Sequence, residues 1–337
     1  MEICIRPLAD SDLQQADHIF RLAFGTFLGL TDPMTYAKDA DYIKSRFHAN
    51  PSGAYAAEVD GKLVGSNITT NWGSVGFFGP LTIHPEYWNQ GIAQKLIETT
   101  MKLFDKWNTK YAGLFTYANS LKHIDLYQKF NFWPYFLTVI MSKVVKHNYN
   151  NNKYNLKWSK FSLLFNKKMI GDIKQYQQEQ IKFLNVCRRL TNTIYNGLDL
   201  SIEILSVYKQ ELGDTVLLWQ NHDDNNSSIN ITPIGLAVCH VGPGSEAGSN
   251  KCYVKFGAVK PGPNAENYFE RLLEACEAFA AEKEMTHLIA GINTSRYNAY
   301  RKMFLKGFRS YMTGIIMLRN NKSGYNRSDM YVIDDWQ

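Results

Sequence analysis

The chain has no apolar run approaching the roughly 20 residues that a membrane-spanning helix needs, so no membrane partner is expected. Cysteine is sparse. The five present, Cys4, Cys187, Cys239, Cys252 and Cys276, are odd in number, scattered and never in C-x-x-C spacing. That pattern argues against a disulfide framework and against a zinc site, so no metal is expected and the thiols read as buried, reduced packing residues. The opening M-E-I-C-I-R-P-L lacks the hydrophobic region of a signal peptide and reads as a strand, which makes a cytoplasmic protein the expectation. A strong charge of one sign is missing too. The net charge is +6, much of it from Lys143 to Lys168 and from Arg296 to Lys306, and no nucleic-acid-binding motif accompanies it. Such a mild excess suits a small polyanion such as a nucleotide phosphate, and no nucleic-acid partner is expected.

What is present is core material, with 45% hydrophobic and 14% aromatic residues in 337. That length predicts two domains of roughly 150 residues. The first half reads as a strand (3–6), helices over 11–24 and 33–47, and a strand pair, 54–59 and 63–70, across the hairpin turn signal Asp60-Gly61. A strand near 74–83, a helix over 91–107, a strand over 112–117, a helix over 124–129 and a strand over 136–145 complete it. The polar stretch His147 to Asn155 marks a linker, taken over 147–172. The second half reads as helices over 173–195 and 200–212, strands over 215–220, 231–240 and 252–259, a helix over 265–283, a strand over 287–292, a helix over 296–306 and a strand over 311–318.

The most informative segment is L-T-I-H-P-E-Y-W-N-Q-G-I-A-Q-K-L-I, Leu81 to Ile97, where a strand passes through His84-Pro85 into a loop whose Gly91 and Ala93 open an amphipathic helix. The first N–H groups of a helix have no partner inside it and share the positive end of the dipole, so this turn is an anion cradle that fits a pyrophosphate. Gly91 lets backbone approach the oxygens, and Ala93 keeps the next turn small.

The order of elements repeats between the halves. Setting Pro85 against Pro261 brings Leu96 onto Leu272 and Ile97 onto Leu273, and likewise pairs Asn119 with Asn293 and Phe132 with Phe308. An internal duplication explains this.

The strand-loop-helix, the following strand that leads to Asn119, the helix carrying L-Y-Q-K-F-N-F and the final strand together resemble the GNAT superfamily of acyl-CoA-dependent N-acyltransferases, here in tandem. The family loop pattern [Q/R]-x-x-G-x-[G/A] reads W-N-Q-G-I-A here, with Trp88 replacing the usual first residue. The resemblance implies an α+β fold of two GNAT-like domains, each a mixed, mostly antiparallel twisted sheet flanked by helices in three layers. It implies a catalytic domain over 1–146 and a degenerate one over 173–337. It also implies direct transfer of an acetyl group from acetyl-CoA to a small-molecule or peptide amine, with no covalent acyl-enzyme. Implied cofactor contacts are Leu81, Thr82, Ile83, Trp88, Asn89, Gln90, Gly91, Ile92, Ala93, Gln94, Asn119 and Tyr127. A backbone N–H of the strand carrying Leu81 to Ile83 would polarise the thioester carbonyl. Tyr127 would be the general acid toward the leaving sulfur, and Asn131, where the motif usually has Gly, suits a left-handed backbone.

The base is open among His84 and Glu86, then Glu58, Asp60 and His123, with the tail carboxylates Asp334 and Asp335 as a further option; His84-Pro85-Glu86 also reads as a turn that orients the loop. In the second half, Asn267, Phe269 and Met303 stand at the positions of Gly91, Ala93 and Tyr127, which points to a structural or acceptor-walling role. Phe24, Phe27, Trp72, Phe77 and Phe78 are candidates to line an apolar pocket, or else to pack in the core. Two other readings are a non-catalytic acyl-CoA-binding or sensing module, and a GNAT-like acyltransferase or decarboxylase acting on a thiol carrier. The acceptor is not specified, and neither is a homodimer.

Overall fold

Asp60 and Gly61 adopt left-handed backbone, with φ of 49° and 76°, which is what a two-residue hairpin turn requires. The hairpin they close belongs to one continuous sheet. The computed structural model describes residues 2–146, 158–164, 173–220 and 233–337. Its first half runs β1 (Ile3–Pro7), α1 (Leu13–Phe27), α2 (Ile43–Ala49), β2 (Ala54–Val59), β3 (Lys62–Trp72), β4 (Val75–Ile83), α3 (Ile92–Lys106), β5 (Tyr111–Thr116), α4 (Leu121–Gln128) and β6 (Phe132–Val144). The second half runs β7 (Trp158–Lys160), α5 (Phe161–Leu164), α6 (Ile173–Ile194), α7 (Ser201–Lys209), β8 (Gly213–Leu218), β9 (Gly235–Gly242), β10 (Gly248–Val259), α8 (Ala265–Glu282), β11 (His287–Asn293), α9 (Tyr297–Leu305), β12 (Arg309–Arg319) and β13 (Val332–Ile333).

Of the stretch read as linker, residues 158–164 form β7 and α5, and the remainder lies outside the described residues, as do 231 and 232 of an expected strand. The helix expected over 33–47 is interrupted. Only a 3-10 turn forms at Pro33–Thr35 before α2, because Ala37 and Lys38 take φ of 59° and 49°. The Arg21 guanidinium donates to the carbonyls of Tyr36, Lys38 and Ala40, so the oxygens a continuous helix would use are already engaged.

The strands run β1-β2-β3-β4-β5-β12-β6-β11-β10-β9-β8-β7, with β13 beside β10. The last strand of each half is therefore exchanged. β6 lies between β11 and β12, both from the second half, while β12 lies between β5 and β6, both from the first. Packing crosses the halves as well: Trp72, Phe77 and Tyr111 share a core with Leu190, Val207, Phe256 and Trp336. On the opposite face of β4, Phe78 packs with Ile97, Phe104, Tyr127 and Phe132. Phe77 and Phe78 face apart because successive strand side chains alternate. Among the described residues no helix is long and apolar enough to cross a membrane. Cys187, Cys239, Cys252 and Cys276 are buried, whereas Cys4 is exposed on the edge strand β1, where alternation turns it outward.

Candidate active site

The cleft begins with a mismatch in the sheet. Pairing of β3 with β4 slips between Asn67–Leu81 and Thr69–Phe78, so that Gly79 and Pro80 oppose the single residue Ile68. A bulge of this kind bends its strand and re-aims the backbone. Arg46 of α2 donates to the Gly79 carbonyl at 2.8 Å and fixes the bulge in place. On the other side, β4 pairs with β5 only from Val75 to Phe77. Beyond Phe77 the pairing of β4 with β5 stops, while β5 stays paired along its other edge with β12 as far as Thr116. The separation leaves a wedge whose near wall is the backbone of β4 from Phe78 to Ile83.

α3 points its N-terminus at this wedge. Its apolar stripe, Ile92, Leu96, Ile97, Leu103 and Phe104, is buried at helical spacing, and each such side chain contributes about 2 kcal/mol. Gly91 is the N-cap, at a φ of 78° that disfavours any residue with a Cβ. The Lys95 N–H bonds the Gly91 carbonyl at 3.3 Å, which leaves the amides of Ile92, Ala93 and Gln94 without partners inside the helix. A Cβ placed on Gly91 would meet nothing nearer than Gln94 Oε1 at 3.8 Å, so the space before these amides is open. The geometry fits a diphosphate.

Trp88 has a structural duty here. Its indole N–H donates to the Ile83 carbonyl at 2.7 Å and ties the loop to the end of β4, and Lys122 of α4 lies 5.3 Å above its ring. Wedge, loop and helix start bound a cavity of about 770 Å³, within the range of small-molecule sites. Every cofactor-contact residue named from the sequence lines it except Asn119, which is exposed in the turn after β5.

Of the catalytic candidates, Tyr127 lines the cavity and His84 and Glu86 do not. His84 Nδ1 instead accepts from the Glu86 N–H at 3.4 Å, capping the Pro85–Tyr87 turn, while the Glu86 side chain is 81% exposed. Glu58 is paired with Arg6 at 2.7 Å, and Asp60 sits in the hairpin turn. His123 does line the cavity, on the same face of α4 as Tyr127 and with the two ring centres 6.4 Å apart. Burial, and secondarily the nearby Lys122, lower the His123 pKa below its ordinary 6.5, so its imidazole is neutral at pH 7. The Tyr127 phenol is pushed well above its ordinary value by burial alone and holds its proton. Phe24, Phe27 and Phe78 line the cavity, whereas Trp72 and Phe77 are packed in the core below it.

Four contributors were not legible in the sequence. Arg46 is buried and donates to Glu246, at 3.1 Å from Nε and 2.8 Å from Nη2, and to the backbone oxygen of Gln337. Lys122, five residues before Tyr127 on α4, adds a cation. Trp336 and Gln337 come from the second half and line the first half's cavity, with Trp336 stacked on Phe77 at 5.5 Å. Neither tail carboxylate is among the lining residues. Asp334 pairs with Arg296 at 2.5 Å, and the buried Asp335, pushed up to about 6 chiefly by desolvation, accepts from Tyr253 at 2.6 Å.

Residues 16–132 match the family model described as Acetyltransferase (GNAT) family. The first half carries a GNAT domain. Among solved structures, the whole chain resembles a candidate acetyltransferase from Pyrococcus horikoshii, at 13% identity and a TM-score of 0.63 over 99% of this chain and 95% of that one. A GCN5-related N-acetyltransferase from Sphaerobacter thermophilus shares the fold at 10% identity and a TM-score of 0.52, covering 94% of this chain and 95% of that one. A third, from Anabaena variabilis, aligns at 12% identity with a TM-score of 0.50 over 94% of this chain and 72% of the other. No curated protein matches the sequence. The fold likeness extends beyond the matched GNAT domain into the second half.

That half differs where the GNAT domain has its cradle. Leu272 and Leu273 are buried like Leu96 and Ile97, so the expected register holds in the core. Yet α8 starts at Ala265 after the N-cap Asn264, whereas the position aligned with Gly91 is Asn267. α8 thus carries about one additional turn, and helix occupies the place of the cradle. Phe269 and Met303 are fully buried core residues, in keeping with a structural role for these positions.

Proposed function

We propose that this chain is an acyl-CoA-dependent N-acetyltransferase with its active site in the GNAT domain of the first half. The observation that supports this most is the meeting, in one cleft, of the open α3 amides, the splayed β4 edge and a buried, neutral phenol. The diphosphate of CoA would sit on the amides of Ile92, Ala93 and Gln94, with Lys122 nearby, and the pantetheine arm along Leu81 to Ile83. The bound thioester supplies the acyl group and a thiol leaving group. This chain's residues then orient and move protons. Backbone N–H groups of β4 beside the bulge polarise the carbonyl, and Arg46 keeps the bulge rigid. Tyr127 gives its proton to the departing sulfur, and His123, neutral at working pH, accepts the proton that the amine sheds on attack. One proton leaves α4 and one arrives, so solvent exchange between the two rings restores both.

The test is release of thiol from acetyl-CoA, followed with a panel of primary amines and with mass detection of the acylated amine. Amine-dependent release supports the reading. Tight acetyl-CoA binding with no release across the panel would leave a binding module in its place.

A further inference from the structure

Beyond the cofactor wall, the cavity is closed by α1, the turn before α2, the end of β5 and the tail, and its surface there is aromatic. Phe24 stacks on Tyr36 with ring centres 5.2 Å apart and planes at 11°. Tyr117 lies 6.4 Å from Phe24 and 5.6 Å from Phe27, and its hydroxyl is 3.5 Å from that of Tyr36. Burial raises both phenols above their ordinary values, so they stay neutral and offer ring faces and one hydroxyl pair. Trp336 completes the wall.

The charges point the same way. Among the described lining residues the cationic side chains are Arg46, Lys122 and Lys129, and the one side-chain carboxylate is Asp125, exposed on α4. Arg46 is committed to Glu246, Gly79 and Gln337. An acceptor with several ammonium groups would bury cations that a single exposed side-chain carboxylate, Asp125, cannot neutralise, at high cost. One ammonium is tolerated over ring faces, and desolvation there favours its neutral, nucleophilic form.

Resting on the transferase reading above, we infer that the acceptor is a primary monoamine on a short arm from an aromatic or branched apolar body, and that polyamines and aminoglycosides are rejected. The experiment measures thiol release from acetyl-CoA with 2-phenylethylamine, tryptamine, spermidine, kanamycin and a glycine-led tripeptide. The expected result is a kcat/KM at least about 100-fold higher for the two aromatic amines than for spermidine or kanamycin. Phe24→Ala, and the milder Phe24→Leu, should raise KM for 2-phenylethylamine, by roughly tenfold for the alanine variant, with acetyl-CoA affinity unchanged. Phe27→Asp, which supplies the missing carboxylate, should narrow the preference against spermidine. Faster turnover of spermidine, kanamycin or the peptide would overturn this inference and leave the transferase standing. No release with any of the five, while acetyl-CoA still binds, would overturn both.

Discussion

Tyr127 and His123 face the same cleft from α4 with their titrations displaced in opposite directions, the phenol up by burial and the imidazole down by burial and Lys122. Groups separated in this way can act as acid and base at one pH. Tyr127→Phe is expected to lower kcat by about ten- to a thousand-fold with acetyl-CoA affinity nearly unchanged, as steady-state rates and calorimetry would register. For His123 the sign follows from the active form being unprotonated. Activity persists above its pKa and is lost as pH falls through it, so the acid limb of kcat/KM should lie below the ordinary 6.5. His123→Gln should remove that limb and reduce kcat/KM about 100-fold. Local geometry was legible where the motif is local. Gly91 opens α3 at a φ of 78°, as the segment 81–94 implies, and Asn131 takes the left-handed φ of 65° that its place in the motif implies. His84 turned out to cap a turn, a use the sequence offered as readily as a catalytic one. Arg46 could not be read, because its partner Glu246 lies 200 residues away and composition carries no trace of the pairing.

Among the elements, α3 and α8 bury matching positions, Leu96 and Ile97 in one and Leu272 and Leu273 in the other, and differ at their starts. α3 opens on a left-handed glycine with free amides before it, while α8 extends about a turn further and presents Asn267 on an exposed surface. A carboxylate at the two positions should therefore have unequal effects. Gly91→Glu is expected to abolish detectable acetyl-CoA binding, through like-charge repulsion and a strained φ, whereas Asn267→Glu should leave the dissociation constant within about twofold. Equal losses would mean that the cradle has been assigned to the wrong helix. Strands and helices were recoverable because hydrophobic periodicity is a local property. The helix expected over 33–47 failed because Arg21, from the preceding helix, claims its carbonyls, and no window of that segment contains Arg21.

At the scale of the molecule, the exchange of β6 and β12 makes each half's sheet depend on the other. Periodicity identifies a strand but does not name its neighbour, so this arrangement was hidden in a sequence that otherwise reads as two units in series. Its consequence is that residues 1–146 alone would lose both partners of β6 and the β12 edge of β5. That fragment is expected to show no cooperative thermal transition by circular dichroism and no acetyl-CoA binding. A monodisperse fragment that melts cooperatively would count against it. The same exchange brings the tail to the first half's cavity, where Trp336 and Gln337 form part of the wall. We propose a single diphosphate cradle and a single proton-handling pair for the chain, both in the first half, and that asymmetry is the claim on which the rest depends. Calorimetric titration of the intact chain with acetyl-CoA measures it most directly. One molecule bound per chain, lost in Gly91→Glu, is the expected result, and two per chain, or none, would contradict it.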